Sequence, residues 1–238
     1  IELDEEGRVK GARLTKNTVS HQVIEELMLA ANQSVAEFFV DRKLLFMRRL
    51  HEDPNASKLD DLAVFAGDMG IECESIQSRF DIIKVIDQAR GQVAEQAIFL
   101  AILRSLKKAI YSPLPERHYA LNMDHYCHFT SPIRRYADLV VHRTLFEPSD
   151  ETKASLKGVS DHISTTERNS SDAERDSKSV KLYAFLTAQL KSGTPQRYSA
   201  LVTDVRNFGF FVDVMIVEAL PNSLRGRLLD ATLARSVA

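Results

Sequence analysis

The densest run of chemistry-bearing side chains is His125-Tyr-Cys-His-Phe-Thr-Ser-Pro-Ile-Arg-Arg-Tyr-Ala-Asp138, followed by His142-Arg143. Ser131-Pro132 predicts a helix start, with serine as the cap and proline at the first helical position. A helix start carries about half a positive charge and unpaired amides. Arg134 and Arg135 then sit in a first turn whose dipole repels them, at about 0.3–1 kcal/mol per charge. A phosphate would resolve the conflict, because amides, dipole and two guanidinium forks all favour an anion. The competing account is an ordinary surface helix with solvated arginines, Asp138 pairing Arg134 four residues away. Physics alone leaves both standing. His125, Cys127 and His128 invite a zinc site. In an extended segment, however, alternate side chains face opposite ways, and no second ligand pair lies nearby in sequence.

Glu25 is a second candidate. With His21 one turn before it and Asn32 two turns after, it forms a narrow polar line beside an apolar stripe, able to accept from a base or sugar. The alternative is a solvated flank. Glu174, in Asp172-Ala-Glu-Arg-Asp176, precedes Lys178 by four residues, and periodicity alone reads this as a surface ion pair. Arg104, Lys107 and Lys108 give a basic helix edge, again read as solvated. Near the C-terminus, Asn207-Phe-Gly-Phe-Phe-Val212 combines a turn with aromatics, and Phe208 and Phe210 are candidates for stacking on bases. Two-metal phosphodiester hydrolysis needs several carboxylates converging on ions about 4 Å apart. Asp60-Asp61 is the only adjacent aspartate pair, on an amphipathic helix, and no phosphate loop or nucleophile elbow occurs. No metal ligand is assigned.

These groups need positioning elements. A hairpin is predicted over 1–14 around Glu6-Gly7. A helix capped by Ser20 carries Val23, Ile24, Leu27, Ala30, Ala31, Ser34, Val35 and Phe38 on one stripe. Further helices are predicted from Ser57 to Gly70, Arg79 to Arg90 and Val93 to Ala109, the last burying Ala97, Ile98, Ala101, Ile102 and Leu106. Tyr119 to Phe129 reads as extended, Ser131 to Phe146 as helix, and Leu156 to Leu190 as a long polar helix. Gly193-Thr-Pro195 looks like a linker. Tyr198 to Asp204 and Phe210 to Val214 alternate as two strands joined across Asn207-Phe-Gly209. Helices first and strands last predict an α+β chain of two domains, 1–192 and 193–238.

Composition bounds the partners. The chain has 238 residues, 44% hydrophobic and 27% charged, with 31 Lys and Arg against 33 Asp and Glu for a net charge of −2. A uniformly basic coat is excluded, a local basic patch is not. No apolar run reaches the length of about 18 residues that a membrane span requires, so no membrane partner is expected. Two cysteines suit a reducing cytoplasm.

At His128-Phe-Thr-Ser-Pro-Ile-Arg-Arg-Tyr-Ala-Asp-Leu-Val-Val-His-Arg143 the sequence resembles the signature of the RNB family, the ribonuclease II and ribonuclease R exoribonucleases. Ser20-His-Gln-Val-Ile-Glu-Glu-Leu-Met-Leu-Ala-Ala-Asn32, Ile102-Leu-Arg-Ser-Leu-Lys-Lys-Ala109 and Asp172-Ala-Glu-Arg-Asp176 are similar to family segments in the right order. Tyr198 to Val214 resembles the opening of the OB-fold that follows the catalytic domain. The resemblance implies the C-terminal portion of an RNB catalytic domain, then an incomplete OB-fold RNA-binding segment. It implies processive 3′-to-5′ degradation of single-stranded RNA to nucleoside 5′-monophosphates, by a monomeric parent using two Mg²⁺ ions held by an aspartate cluster. Carried over residue by residue, Arg134 contacts the scissile phosphate and stabilises developing charge, and Glu174 lines the terminal-nucleotide pocket. Glu25 orients the 3′ end, with Thr130, Arg135 and Tyr136 as supports.

The family's aspartates and base-clamping tyrosine match nothing here and are expected upstream of Ile1. The residues after Gln196 are fewer than a five-stranded barrel needs. The sequence therefore reads as an excerpt truncated at both ends, inactive on RNA by itself. A non-catalytic RNA-binding parent is the alternative, and an interaction scaffold a third. Ribonuclease II and ribonuclease R types are not separated.

Overall fold

The computed structural model describes residues 2–11, 17–147 and 153–192, and beyond them the backbone of 197–198, 205–206, 209–210, 214–220 and 223–228. The described chain follows the α+β order, helices before the C-terminal strands. It begins with β1 (Glu2–Leu3) and β2 (Val9–Gly11), antiparallel about a turn in which Gly7 takes a φ of 74°. That left-handed backbone is what a glycine permits without steric cost.

Helix α1 (Val19–Asp41) starts one residue before the expected cap. Thr18, not Ser20, is its cap, and the His21 ring nitrogen Nδ1 lies 3.2 Å from the Thr18 amide and 2.7 Å from its hydroxyl. The expected apolar stripe is also corrected. Val23, Ile24 and Leu27 are 52%, 56% and 61% exposed, and the helix buries Asn32, Ala36 and Phe39 instead. The stripe follows helical periodicity, but only its second half has described residues packed against it.

Strand β3 (Arg48–Leu50) comes next, then α2 (Ala56–Asp68), which buries Leu59, Leu62, Ala63 and Ala66 as expected and ends before Gly70 at φ 83°. Helix α3 (Arg79–Ala89) is opened by Ser78, which exchanges bonds with Asp81 in a capping box. Helix α4 (Glu95–Ser105) stops four residues short of the expected end, because Ile110–Ser112 forms β4, antiparallel to β3 with Arg49 opposite Tyr111. Both strands are three residues long, too short for alternation to reveal.

Helix α5 (Tyr136–Phe146) and helix α6 (Lys153–Lys191) follow. The last elements are β5 (Arg197–Tyr198), β6 (Val205–Arg206), β7 (Gly209–Phe210), β8 (Val214–Leu220) and β9 (Ser223–Leu228). Strands β6 and β7 pair antiparallel, and a three-stranded sheet runs β5-β8-β9. Tyr198 stands opposite Val214, so the two segments expected to pair do so at that point, whereas β9 was not expected.

The residues group into two compact units. One comprises 1–15, 93–100 and 171–238, the other 16–92 and 101–170. In the second, one apolar cluster joins Ala36 and Phe39 of α1 to Phe46, Met47, Tyr111, Cys127, Val140 and Val141 of α5, and Leu156 and Ile163 of α6. Phe39 and Phe46 stack at 4.8 Å. Among the described residues no helix is long and apolar enough to cross a membrane.

Candidate nucleic-acid interface

The helix expected at Ser131-Pro132 begins five residues later. Residues 132–134 form a turn, and Arg135, in extended conformation, is the cap of α5. The Ser131 carbonyl accepts from the amides of Arg134 (3.3 Å) and Arg135 (3.1 Å). Asp138, fully buried, closes the turn: it accepts from the Ser131 amide at 2.7 Å and takes the Arg135 fork through Nε and Nη2, each at 2.8 Å. The expected Asp138–Arg134 pair is therefore corrected to Asp138–Arg135, three residues apart. A carboxylate in the first turn of a helix also suits the dipole.

The consequence is a division of labour between the two arginines. Arg135 is locked. Arg134 is exposed, and among the described residues no carboxylate pairs with its guanidinium. Ile133 beside it is fully exposed.

A second set of bonds fixes the segment leading into the turn. Asn32, 3% exposed on α1, accepts at Oδ1 from the amides of Phe129 (2.9 Å) and Thr130 (3.2 Å) and donates through Nδ2 to the Tyr126 hydroxyl (3.0 Å). His142 of α5 stacks on Phe129 at 4.2 Å and bonds its carbonyl at 2.8 Å. Tyr111 of β4 meets His128 Nδ1 at 2.8 Å, Arg49 lies over the Tyr111 ring, and Arg49 pairs with Glu167 of α6 at 2.7 Å. Burial, with Arg135 and Arg49 adding to it, pushes the His128 imidazole down to about 3. Burial likewise drives His118 to about 4 and raises the Tyr111 phenol to about 12. With His128 neutral and Tyr111 protonated, the two share a neutral hydrogen bond whose direction follows the imidazole tautomer. The Thr130 hydroxyl, in the same segment, is buried and has no hydrogen-bond partner among the described residues.

Of the other expected site residues, Tyr136 is 52% exposed, its hydroxyl accepting from Arg143 at 3.3 Å. Glu25 is exposed on α1, and no hydrogen bond joins it to the turn among the described residues. The polar line it was to share is not one surface, since His21 caps its helix and Asn32 is buried. Glu174 belongs to the other unit and forms the surface pair that its spacing predicts, with Lys178, both about two-thirds exposed. That lysine holds the Glu174 carboxyl below its ordinary range. Phe208 lies outside the described residues, and of Phe210 only its backbone place in β7 is described.

His125, Cys127 and His128 each have separate partners: Arg48, the Asn32 carbonyl and Tyr111. Asn32 and Asp138 are the organising residues: the sequence named the first in a polar line with Glu25 and the second as a partner of Arg134, but not the backbone amides that each one holds.

The family model described as the RNB domain matches residues 1–149. The chain belongs to the RNB family. Ribonuclease R 1 of Lactococcus lactis is 31% identical over 245 residues, a match covering 98% of this chain and 29% of that protein. Ribonuclease R of Thermotoga maritima is 32% identical over 225 residues, covering 89% of the chain and 31% of that protein. The RNB chain thus spans under a third of either relative. Among solved structures, Mycoplasma genitalium RNase R in complex with ribose-methylated single-stranded RNA matches with a TM-score of 0.80 at 26% identity, covering 93% of this chain and 36% of that one. The Ser131–Asp138 turn falls within the matched RNB span.

Proposed function

We propose that this chain forms part of a 3′-to-5′ exoribonuclease acting on single-stranded RNA, in which Arg134 binds the phosphate at the scissile bond. One observation carries the reading: of two adjacent arginines, one is locked by a buried carboxylate and the other is left free, on a turn held from behind by Asn32. A rigid base under an uncommitted guanidinium suits a group that must meet charge developing in a transition state, because no reorganisation is then required. Membership of the RNB family and the similarity to ribonuclease R proteins support this reaction class. Glu25, Thr130, Tyr136 and Glu174 are proposed as further RNA contacts. The strands from residue 197 onward are proposed as the start of an OB-fold, with Phe208 and Phe210 as stacking groups.

A family enzyme of this kind would use divalent metal, Mg²⁺ in our reading. The described residues do not fit it: no group of three or more His, Cys, Asp or Glu side chains among them could hold an ion. Asp138 is consumed by Ser131 and Arg135, and Asp172 pairs with Arg175. The chain by itself is expected not to hydrolyse RNA.

The test has two parts. Titration of the chain with single-stranded RNA should give binding that weakens with salt, because counterions are released from phosphate. Arg134→Ala should lower both affinity and salt slope. In the protein that joins this chain to metal-ligating residues of the family, Arg134→Ala should cut mononucleotide release by about 10²-fold or more. Unchanged turnover in that variant would remove Arg134 from the reaction.

A further inference from the structure

A cleft of about 500 Å³ lies within the same unit as the Ser131–Asp138 turn, on residues to which the proposed function gives no role. It lies where the starts of α2 and α3 meet the 117–122 segment, with Ala56, Asp60, Arg79, Phe80, Arg117 and Tyr119 among its walls. Its volume falls in the range that holds small ligands.

Several features of this cleft lack an internal explanation. Tyr119 is only 7% exposed, yet its buried hydroxyl has no hydrogen-bond partner among the described residues. A buried hydroxyl left without a partner costs about 1–3 kcal/mol. Tyr119 is itself a wall residue of the cleft, together with Asp53, Arg79 and Arg117. The start of α2 is uncapped: Asn55 gives no side-chain bond, leaving the first amides, Ala56 among them, to an outside acceptor. By contrast, α3 is closed by its own Ser78–Asp81 box.

The charges are arranged unequally. Arg117 spends its fork on Asp53, with Nε and Nη2 at 3.1 and 2.8 Å from the two carboxylate oxygens. Arg79 gives only Nε, to the Ala120 carbonyl at 3.3 Å, and has no carboxylate partner among the described residues. Phe80, next to it, is 65% exposed on the wall. A free guanidinium and open helix amides select an anion. An exposed aromatic wall selects a planar ring. The Asp60 carboxylate accepts from hydroxyls or an exocyclic amine, which a bare anion does not offer.

From these the geometry points to a nucleotide site: a phosphate held by Arg79, the α2 amides and the Tyr119 hydroxyl, with its base against Phe80. The nucleotide could be free or part of an RNA strand, and the chemistry is the same. This inference does not depend on the role given to Arg134.

The probes are adenosine 5′-monophosphate, adenosine, inorganic phosphate and a short oligoadenylate, titrated calorimetrically into the whole chain. The mononucleotide should bind more tightly than adenosine or phosphate. Arg79→Ala and Phe80→Ala should each weaken it about tenfold or more. Tyr119→Phe should weaken it severalfold while leaving the melting temperature equal or higher, since an orphaned hydroxyl is removed. That pairing separates a ligand contact from a folding defect.

If the oligoadenylate binds more tightly than the mononucleotide and loses affinity in the same three variants, the source is a strand. If the mononucleotide is preferred, it is a free nucleotide. The proposal is overturned by no saturable mononucleotide or oligoadenylate binding up to about 10 mM. It is overturned equally by phosphate binding as well as the mononucleotide, or by affinity lost in Arg134→Ala and kept in the three cleft variants.

Discussion

Asp138 shows how much a single side chain decides. With no exposure of its own, and Arg135 17% exposed beside it, the pair is a buried ion pair further satisfied by the Ser131 amide. Removing one partner strands the other, so Asp138→Ala should cost about 3–5 kcal/mol in urea unfolding. A loss below about 1 kcal/mol would mean that solvent already screens the pair. The histidines add a pH dependence. Folding holds His118 at about 4 and His128 at about 3, below the ordinary 6.5. Between those values and 6.5 the unfolded chain binds more protons than the folded one. Stability therefore falls as pH drops through that window, by about 1.4 kcal/mol per unit for each fully titrating histidine. Replacing His128 with Gln should flatten the slope between pH 6 and about 4 in denaturant melts followed at each pH. An unchanged slope would show that His128 is protonated in the fold. The sequence argued against a zinc role for His128 but did not reveal its partner: Tyr111 is seventeen residues away and reaches it through β4.

At the scale of elements, the instructive difference is the start of α5. Ser-Pro is a sound helix opening by local rules. Here Asp138 captures the Ser131 amide and Arg135, so the chain closes a separate turn first and enters the helix at Tyr136. The local signal identified the right residues and the wrong geometry, because the competing bond comes from inside the helix. The helices themselves were legible. α2, α3 and α6 lie within a few residues of their expected bounds, each with a clear period or a capping residue. The short strands β3 and β4 were not, since their pairing joins segments sixty residues apart. Asn32 couples α1 to the turn. Asn32→Leu leaves the Phe129 and Thr130 amides without their acceptor, at about 1–3 kcal/mol for each group left buried. Amide hydrogen exchange at those two positions should accelerate in the variant while α2 keeps its protection. Equal protection at both amides would show that the segment is held without Asn32.

The order of the helices along the chain was readable from periodicity, but the grouping of distant segments was not. Residues 1–15, 93–100 and 171–238 associate across long stretches of sequence, and a hydrophobic period speaks only for its own helix. Cysteine chemistry offers a probe of the other unit, because both thiols lie in it. Cys127 is fully buried in the apolar cluster, and burial with Asp138 nearby pushes its thiol up to about 12, so the thiolate is scarce in the fold. Cys73 is only half-buried, with a smaller rise from burial and Asp81. Since the thiolate is the reactive form, a disulfide-exchange reagent at neutral pH should label Cys73 first. Cys127 should follow only as the unit opens, with a urea midpoint matching the loss of the Phe39–Phe46 core. Asp138→Ala, which opens the same packing, should bring Cys127 labelling to lower urea by the stability it loses. If both thiols react together in native buffer, Cys127 is reached by a local opening, and the core around the turn is looser than its burial implies.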